Sequence, residues 1–217
     1  MNQDIMNQAF FISGIDTDAG KTFCTAWLAS QWMEQGLSVI TQKFIQTGCV
    51  GSSEDIEAHR RLCNVEMFPE DLDHTTAPLI YTHPCSPQLA ARIDGRDIPL
   101  DIIDHSTEIL LSRYNRVLIE GAGGLMVPIT DDFFTIDYVA SRCLPLILVV
   151  HGGLGSINHA ILSLEAIAHH GVNLHSVLYN TYFDSDPLIA ADTHAFLERY
   201  LDRHFPGVPV IDVPALS

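Results

Sequence analysis

The chain has 217 residues, 47% of them hydrophobic, with 27 acidic against 11 basic side chains and a formal charge of −16. This length fits one domain, 1–217, with enough apolar material for a sizeable core. So acidic a composition argues against nucleic acid or an anionic membrane as the main partner, but not against a nucleotide, because a local pocket can be positive on an acidic protein.

In chain order, apolar runs of strand length alternate with amphipathic stretches. A strand at 9–13 leads to a helix at 22–35, with Gly36 as its stop, and then a strand at 38–42 and a helix at 54–63. Residues 64–86 contain Pro69, Pro78 and Pro84 with little periodicity, and read as an irregular excursion. Helices at 87–93 and 100–114 precede a strand at 116–120. A helix at 136–142, a strand at 144–150, a helix at 157–170, a strand at 176–179, a helix at 189–204 and a strand at 208–213 follow. Most of the strands lack polar alternation, as strands buried on both faces do. The pattern is that of a doubly wound α/β fold, a mostly parallel sheet with helices on both faces.

The longest apolar runs are too short to span a bilayer, and no secretory leader is expected. Five cysteines, at 24, 49, 63, 85 and 143, form no Cys-x-x-Cys pair. They read as reduced thiols of a cytoplasmic protein. His169 and His170, before Gly171, read as helix-end or surface residues rather than metal ligands.

Between the first strand and the first helix stands GIDTDAGKT, residues 14–22. A glycine-rich turn closed by Gly-Lys-Thr suits a phosphate-cradling loop. Gly20 lets the backbone approach an anion, helix amides point at it, Lys21 adds charge and the Thr22 hydroxyl can bind Mg²⁺. Five residues separate Gly14 from Gly20, one more than the usual four. The competing reading is an ordinary glycine turn.

Only two lysines occur, Lys21 and Lys43, and the second closes the next strand. Lys43, Glu120, His151 and Asn180 all end or follow strands, so four segments converge on the edge of the sheet where such folds bind ligands. At that rim the Lys43 ammonium would contribute little to stability. Glu120 opens Glu-Gly-Ala-Gly-Gly, which lets a carboxylate reach a metal while backbone passes close to a ligand. Asp55 opens a helix, where it either favours the dipole or completes a hard oxygen shell with Thr22 and Glu120. The turn at 152–159, Gly-Gly-Leu-Gly-Ser-Ile-Asn-His, is either a carboxylate or phosphate site or a helix start capped by Ser156. With no Ser-His-Asp order or paired-carboxylate signature, the machinery is of the phosphoryl-transfer kind.

These residues resemble the dethiobiotin synthetases of biotin biosynthesis. The phosphate loop is similar, extra residue included, as are Lys43-Phe-Ile-Gln-Thr-Gly48, Cys85-Ser-Pro-Gln-Leu-Ala-Ala91, Glu120-Gly-Ala-Gly-Gly124 and Gly155-Ser-Ile-Asn-His-Ala160. The resemblance implies ATP- and Mg²⁺-dependent ring closure of 7,8-diaminopelargonate with CO₂, through a carbamate and a carbamic–phosphoric anhydride, in a homodimer. It implies catalytic roles for Lys21, Lys43 and Thr17, and substrate contacts at Thr17, Lys43, Thr47 and, from the partner subunit, Asn158. Thr22, Asp55 and Glu120 would hold the metal. ATP contacts are implied at Asp18, Ala19, Gly20, Lys21, Thr22, Phe23, Asp55, Glu120, Gly121, Ala122, Gly123, Asn180 (reading adenine), Thr181 and Pro214. Phe44 stands where the family has proline, Gln88 where it has histidine, and the chain stops at Ser217 where members commonly continue past their base contacts. Related amide-forming synthetases carry a glutaminase domain for which there is no room. Partitioning ATPases usually place a second lysine early in the loop, where this chain has Asp16 and Asp18.

Overall fold

The computed structural model describes residues 7–215. Six strands form one sheet: β1 (Gln8–Gly14), β2 (Val39–Lys43), β5 (Arg116–Gly124), β6 (Leu146–His151), β7 (Leu174–Asn180) and β8 (Val210–Val213), in the order β2-β5-β1-β6-β7-β8. Every neighbouring pair is parallel. The continuous apolar runs account for this. Phe11, Ile12, Val117 to Ile119 and Leu146 to Val150 are fully buried, as strands covered on both faces must be. Each such side chain contributes roughly 1.5–3 kcal/mol of burial.

Successive strand residues point to opposite faces, and β1 shows both covered. Phe10 meets Trp32 of α1 (Lys21–Glu34), whereas Phe11 meets Tyr138 of α6 (Thr135–Ser141). The remaining long helices are α2 (Glu54–Leu62), α4 (Pro87–Asp94), α5 (Leu100–Leu111), α7 (Ser156–His169) and α8 (Pro187–His204). Phe44 packs against both Phe11 and Tyr138, so the residue standing in place of proline is part of the core.

Two regions differ most from the sequence expectation, beyond shifts of a few residues at other element ends. β5 runs on to Gly124, because its glycines can follow β1 closely; a Cβ on Gly121 would sit 2.9 Å from the Phe11 ring. The stretch 64–86 is also more ordered than its prolines suggest. It holds a short helix, α3 (Pro69–Leu72), and a strand, β4 (Ile80–Tyr81), that pairs with β3 (Gln46–Thr47) in a separate parallel ribbon.

A buried ion pair secures that excursion. The Arg60 guanidinium donates to both carboxylate oxygens of Asp71, at 2.9 and 2.8 Å, and to Thr41 Oγ1 at 2.7 Å. Burial pushes the Asp71 carboxyl up, but the Arg60 bonds outweigh it and hold it below the usual range. The Lys43 amide then donates to the Thr76 carbonyl at 2.7 Å. In this way α2, the excursion and the end of β2 are tied together next to the phosphate loop. Among the described residues no helix is long and apolar enough to cross a membrane.

Candidate functional site

The chain leaves β1 and turns first toward β2 on one side of the sheet, while β6, β7 and β8 extend the other side. Ligand crevices form at such a switch point, beyond the carboxyl ends of the strands. A cavity of about 410 Å³ opens there, lined by Thr17, Asp18, Gly20, Lys21, Thr22, Lys43, Thr47, Asp55, Glu120, Ala122 and Gly123, with Ile45 and Gln46. Eleven of these thirteen residues were expected from sequence. A neighbouring apolar cavity of about 440 Å³ shares Gly20 and Thr22 and adds Phe23, Leu62, Asn180, Tyr182 and Phe183.

Lys21 begins α1, and its Nζ curls back to donate to the carbonyls of Asp16 and Thr17, at 2.9 and 3.1 Å. The ammonium therefore braces the loop from which it projects. Burial lowers its pKa. Gly20 occupies the left-handed region at φ +84°, and a Cβ there would lie 2.2 Å from Asn180 Nδ2. That same Nδ2 donates to the Ala19 carbonyl at 3.1 Å, while Asn180 Oδ1 accepts from the Tyr182 amide. Asn180 thus links the end of β7 to the phosphate loop.

The floor of the cavity is a charge cluster. Lys43 Nζ lies 2.5 Å from Asp55 Oδ2 and 2.8 Å from Glu120 Oε1, and donates to the Gly121 carbonyl at 3.1 Å. Glu120 Oε1 also accepts from Thr22 Oγ1 at 3.1 Å, and Asp55 Oδ1 lies 3.4 Å from the same hydroxyl. Burial pushes the Glu120 carboxyl up, yet Lys43 and His59 together outweigh it and hold it far below the usual carboxylate range. Lys43 is likewise opposed by burial, and Glu120 and Asp55 keep its pKa raised. The expectation of a rim ammonium is corrected here. Lys43 is only 5% exposed and paired twice, so it is part of the structure as well as of the cavity.

Sequence reasoning missed His59, whose Nε2 lies 2.7 Å from Glu120 Oε2. A signal was present: Asp55 and His59 are four residues apart on α2, hence on one face. Ser53 caps that helix, accepting from the Ile56 amide at 3.2 Å, and Asp55 stands in its first turn. Asp55 is thereby released toward the cavity.

The other expected residues are more distant. Ala19, within the phosphate loop itself, is fully buried. Thr181 Oγ1 donates to the Val213 carbonyl and accepts from the Ala215 amide, bracketing the exposed Pro214; Thr181 and Pro214 line neither of the two cavities. Asn158 is exposed in the first turn of α7 and lines neither. Ser156 is not the cap of that helix: Gly155, at φ +90°, takes the position, and the Ser156 hydroxyl is buried without a partner. His151 packs against Phe183, with ring centroids 4.6 Å apart and the planes tilted by 34°.

Among the described residues no group of three or more His, Cys, Asp or Glu side chains is arranged to hold a metal ion. The oxygen set of Thr22, Asp55 and Glu120 is different in kind. Its separations of 3.1 and 3.4 Å approach the spacing of adjacent ligands around a small octahedral cation, about 3 Å.

Comparison with known proteins gives the family. A family model described as an AAA domain matches residues 8–211. The ATP-dependent dethiobiotin synthetase BioD 2 of Pasteurella multocida is 47% identical over 93% of this chain and 95% of its own. The ATP-dependent dethiobiotin synthetases BioD of Chlorobaculum tepidum and Anoxybacillus flavithermus are 46% and 34% identical, over 95% and 97% of this chain and 87% and 93% of their own. Among solved structures, chloroplast FtsY from Physcomitrella patens shares the fold. Its TM-score is 0.50 at 12% identity, with 94% of this chain aligned over 57% of that one. With identity this high along nearly the whole length, and the phosphate-loop, Lys43 and Glu120 segments meeting at one cavity, the chain belongs to the dethiobiotin synthetases.

Proposed function

We propose that this chain closes the ureido ring of dethiobiotin from 7,8-diaminopelargonate and CO₂ at the expense of ATP. The observation that carries the reading is the position of Lys43, in the cavity onto which the phosphate loop opens and within reach of two carboxylates. A carbamate formed on one amine of the substrate would lie between Thr17, Thr47 and Lys43. Its oxygen attacks the γ-phosphorus and ADP leaves, giving a carbamic–phosphoric anhydride. The second amine then attacks the carbonyl carbon, phosphate departs, and the ring C–N bond forms.

Lys21 and Lys43 neutralise charge on the transferred phosphoryl group and the carbamate, a task of positioning and electrostatics. Thr22, Asp55 and Glu120 would hold Mg²⁺, which when bound neutralises the phosphate oxygens. The apolar cavity between Phe23 and Phe183 suits a base, with Asn180 at its edge. The chain acts as a homodimer, in which Asn158 and the N-terminus of α7 hold the substrate carboxylate in the partner's site. The unpartnered Ser156 hydroxyl at that helix start supports this reading.

The test is phosphate release with ATP, bicarbonate and diaminopelargonate, omitting each in turn. Release should require all three. Equal release without the diamine would make the chain a simple ATPase. Light scattering tests the dimer, and a fully active monomer would refute it.

A further inference from the structure

We propose that His59 is a positioning residue, which fixes one oxygen of Glu120 so that the other is presented to the phosphate cavity. The inference rests on the reading of Glu120 as a metal ligand. His59 has no exposed surface, and Glu120 is 1% exposed. A carboxylate only accepts, so the imidazole donates through Nε2 to Glu120 Oε2, at 2.7 Å. The opposite oxygen, Oε1, is the one that meets Thr22 and Lys43. The two oxygens are therefore divided between support and site.

Stability alone does not account for an imidazole here. Its second nitrogen, Nδ1, is buried with no hydrogen-bond partner, which costs desolvation free energy without return. An aliphatic side chain of similar size would fill the same space without that cost. What it would lack is the bond to Oε2. A carboxylate held only through Oε1 could turn about its terminal torsion, which is broad and roughly two-fold. Helix α2 also delivers Asp55 one turn before His59, so the helix that supplies one oxygen of the set orients the carboxylate that supplies another.

The experiment measures ADP binding by calorimetry with and without Mn²⁺ as the metal probe, in wild type, His59→Leu, His59→Gln and Glu120→Gln, with thermal melts alongside. Removing the group that orients a metal ligand typically weakens metal affinity about 10–100-fold. His59→Leu should lose that much of the Mn²⁺-dependent gain in ADP affinity and leave metal-free ADP binding unchanged. His59→Gln, whose amide nitrogen takes the place of Nε2, should recover most of it. If His59→Leu fails to fold, His59→Asn, whose amide falls short of Oε2, replaces it with the same expectation. Equal losses with and without metal, no loss in either, or no recovery in His59→Gln would make His59 a packing residue and overturn the inference. If Glu120→Gln keeps the full Mn²⁺ gain, the metal reading fails and the inference with it. If Glu120→Gln abolishes the gain while His59→Leu keeps it, the inference alone fails.

Discussion

Lys43 and Glu120 are register partners on neighbouring parallel strands, and their side chains meet at 2.8 Å at the carboxyl end of the sheet. One backbone pairing therefore sets the distance between the ammonium and the carboxylate, and rigid strands, not loops, carry both. Groups held in this way need little rearrangement when charge develops beside them.

Lys43→Ala should depress kcat by about 10²–10³-fold, the loss typical of a preorganised charge-stabilising group. Its burial adds a second effect. Removing one member of a buried ion cluster costs about 3–5 kcal/mol, so the variant should also melt earlier. Lys43→Arg should not restore the rate, because a planar fork does not reproduce a compact point charge. Steady-state kinetics with denaturant melts checks both, and near-wild-type turnover in both variants would remove Lys43 from the chemistry.

The depressed pKa of Glu120 fixes the sign of its effect on stability with pH. A carboxyl ionised more readily folded than unfolded stabilises the fold above its ordinary value of 4.5, and this contribution is lost as pH falls from there toward the folded value. Wild type should exceed Glu120→Gln in stability at neutral pH, with the gap closing progressively below 4.5. Urea titrations across that range test this, and a constant gap would contradict it.

Gly20→Ala should disrupt the loop for two reasons, the left-handed backbone and the collision with Asn180 Nδ2. The backbone alone costs about 1–2 kcal/mol. Asn180→Ala removes the obstacle, so the two substitutions together should destabilise by less than their sum. Strict additivity in a double-mutant cycle would mean that Asn180 does not brace the loop.

Burial pushes the Cys24 thiol, directly behind the phosphate loop, up to about 12. Cys143 is exposed. Iodoacetamide at pH 8 should therefore modify Cys143 in the native protein and spare Cys24, because only the thiolate reacts. Mass spectrometry of peptides decides; early labelling of Cys24 would show that the loop opens readily.

Much of the site was legible before folding was considered. Fully apolar runs announced buried parallel strands, and Gly-Lys-Thr between a strand and a helix announced a phosphate loop. Lys43 and Glu120 stood out because chemistry-bearing residues at strand ends collect on one edge. These signals are local: a run, a spacing, a terminus. By itself the sequence determined the elements of the main sheet and its long helices, their alternation and the edge at which function would gather, but not the small β3–β4 ribbon or α3.

Which side chains touch was decided by the tertiary structure. Glu120 is 77 residues from Lys43 and 61 from His59, and no periodicity encodes either contact. They arise because β5 inserts between β2 and β1, an order that strand patterns leave open, and because the Arg60–Asp71 pair draws α2 and the 64–86 excursion onto that edge. The same closure turned Lys43 from a rim charge into a buried one and gave Asn180 its hold on the Ala19 carbonyl. Such contacts depend on sheet order and burial acting together, since a charge loses its water only when the whole cluster has assembled around it.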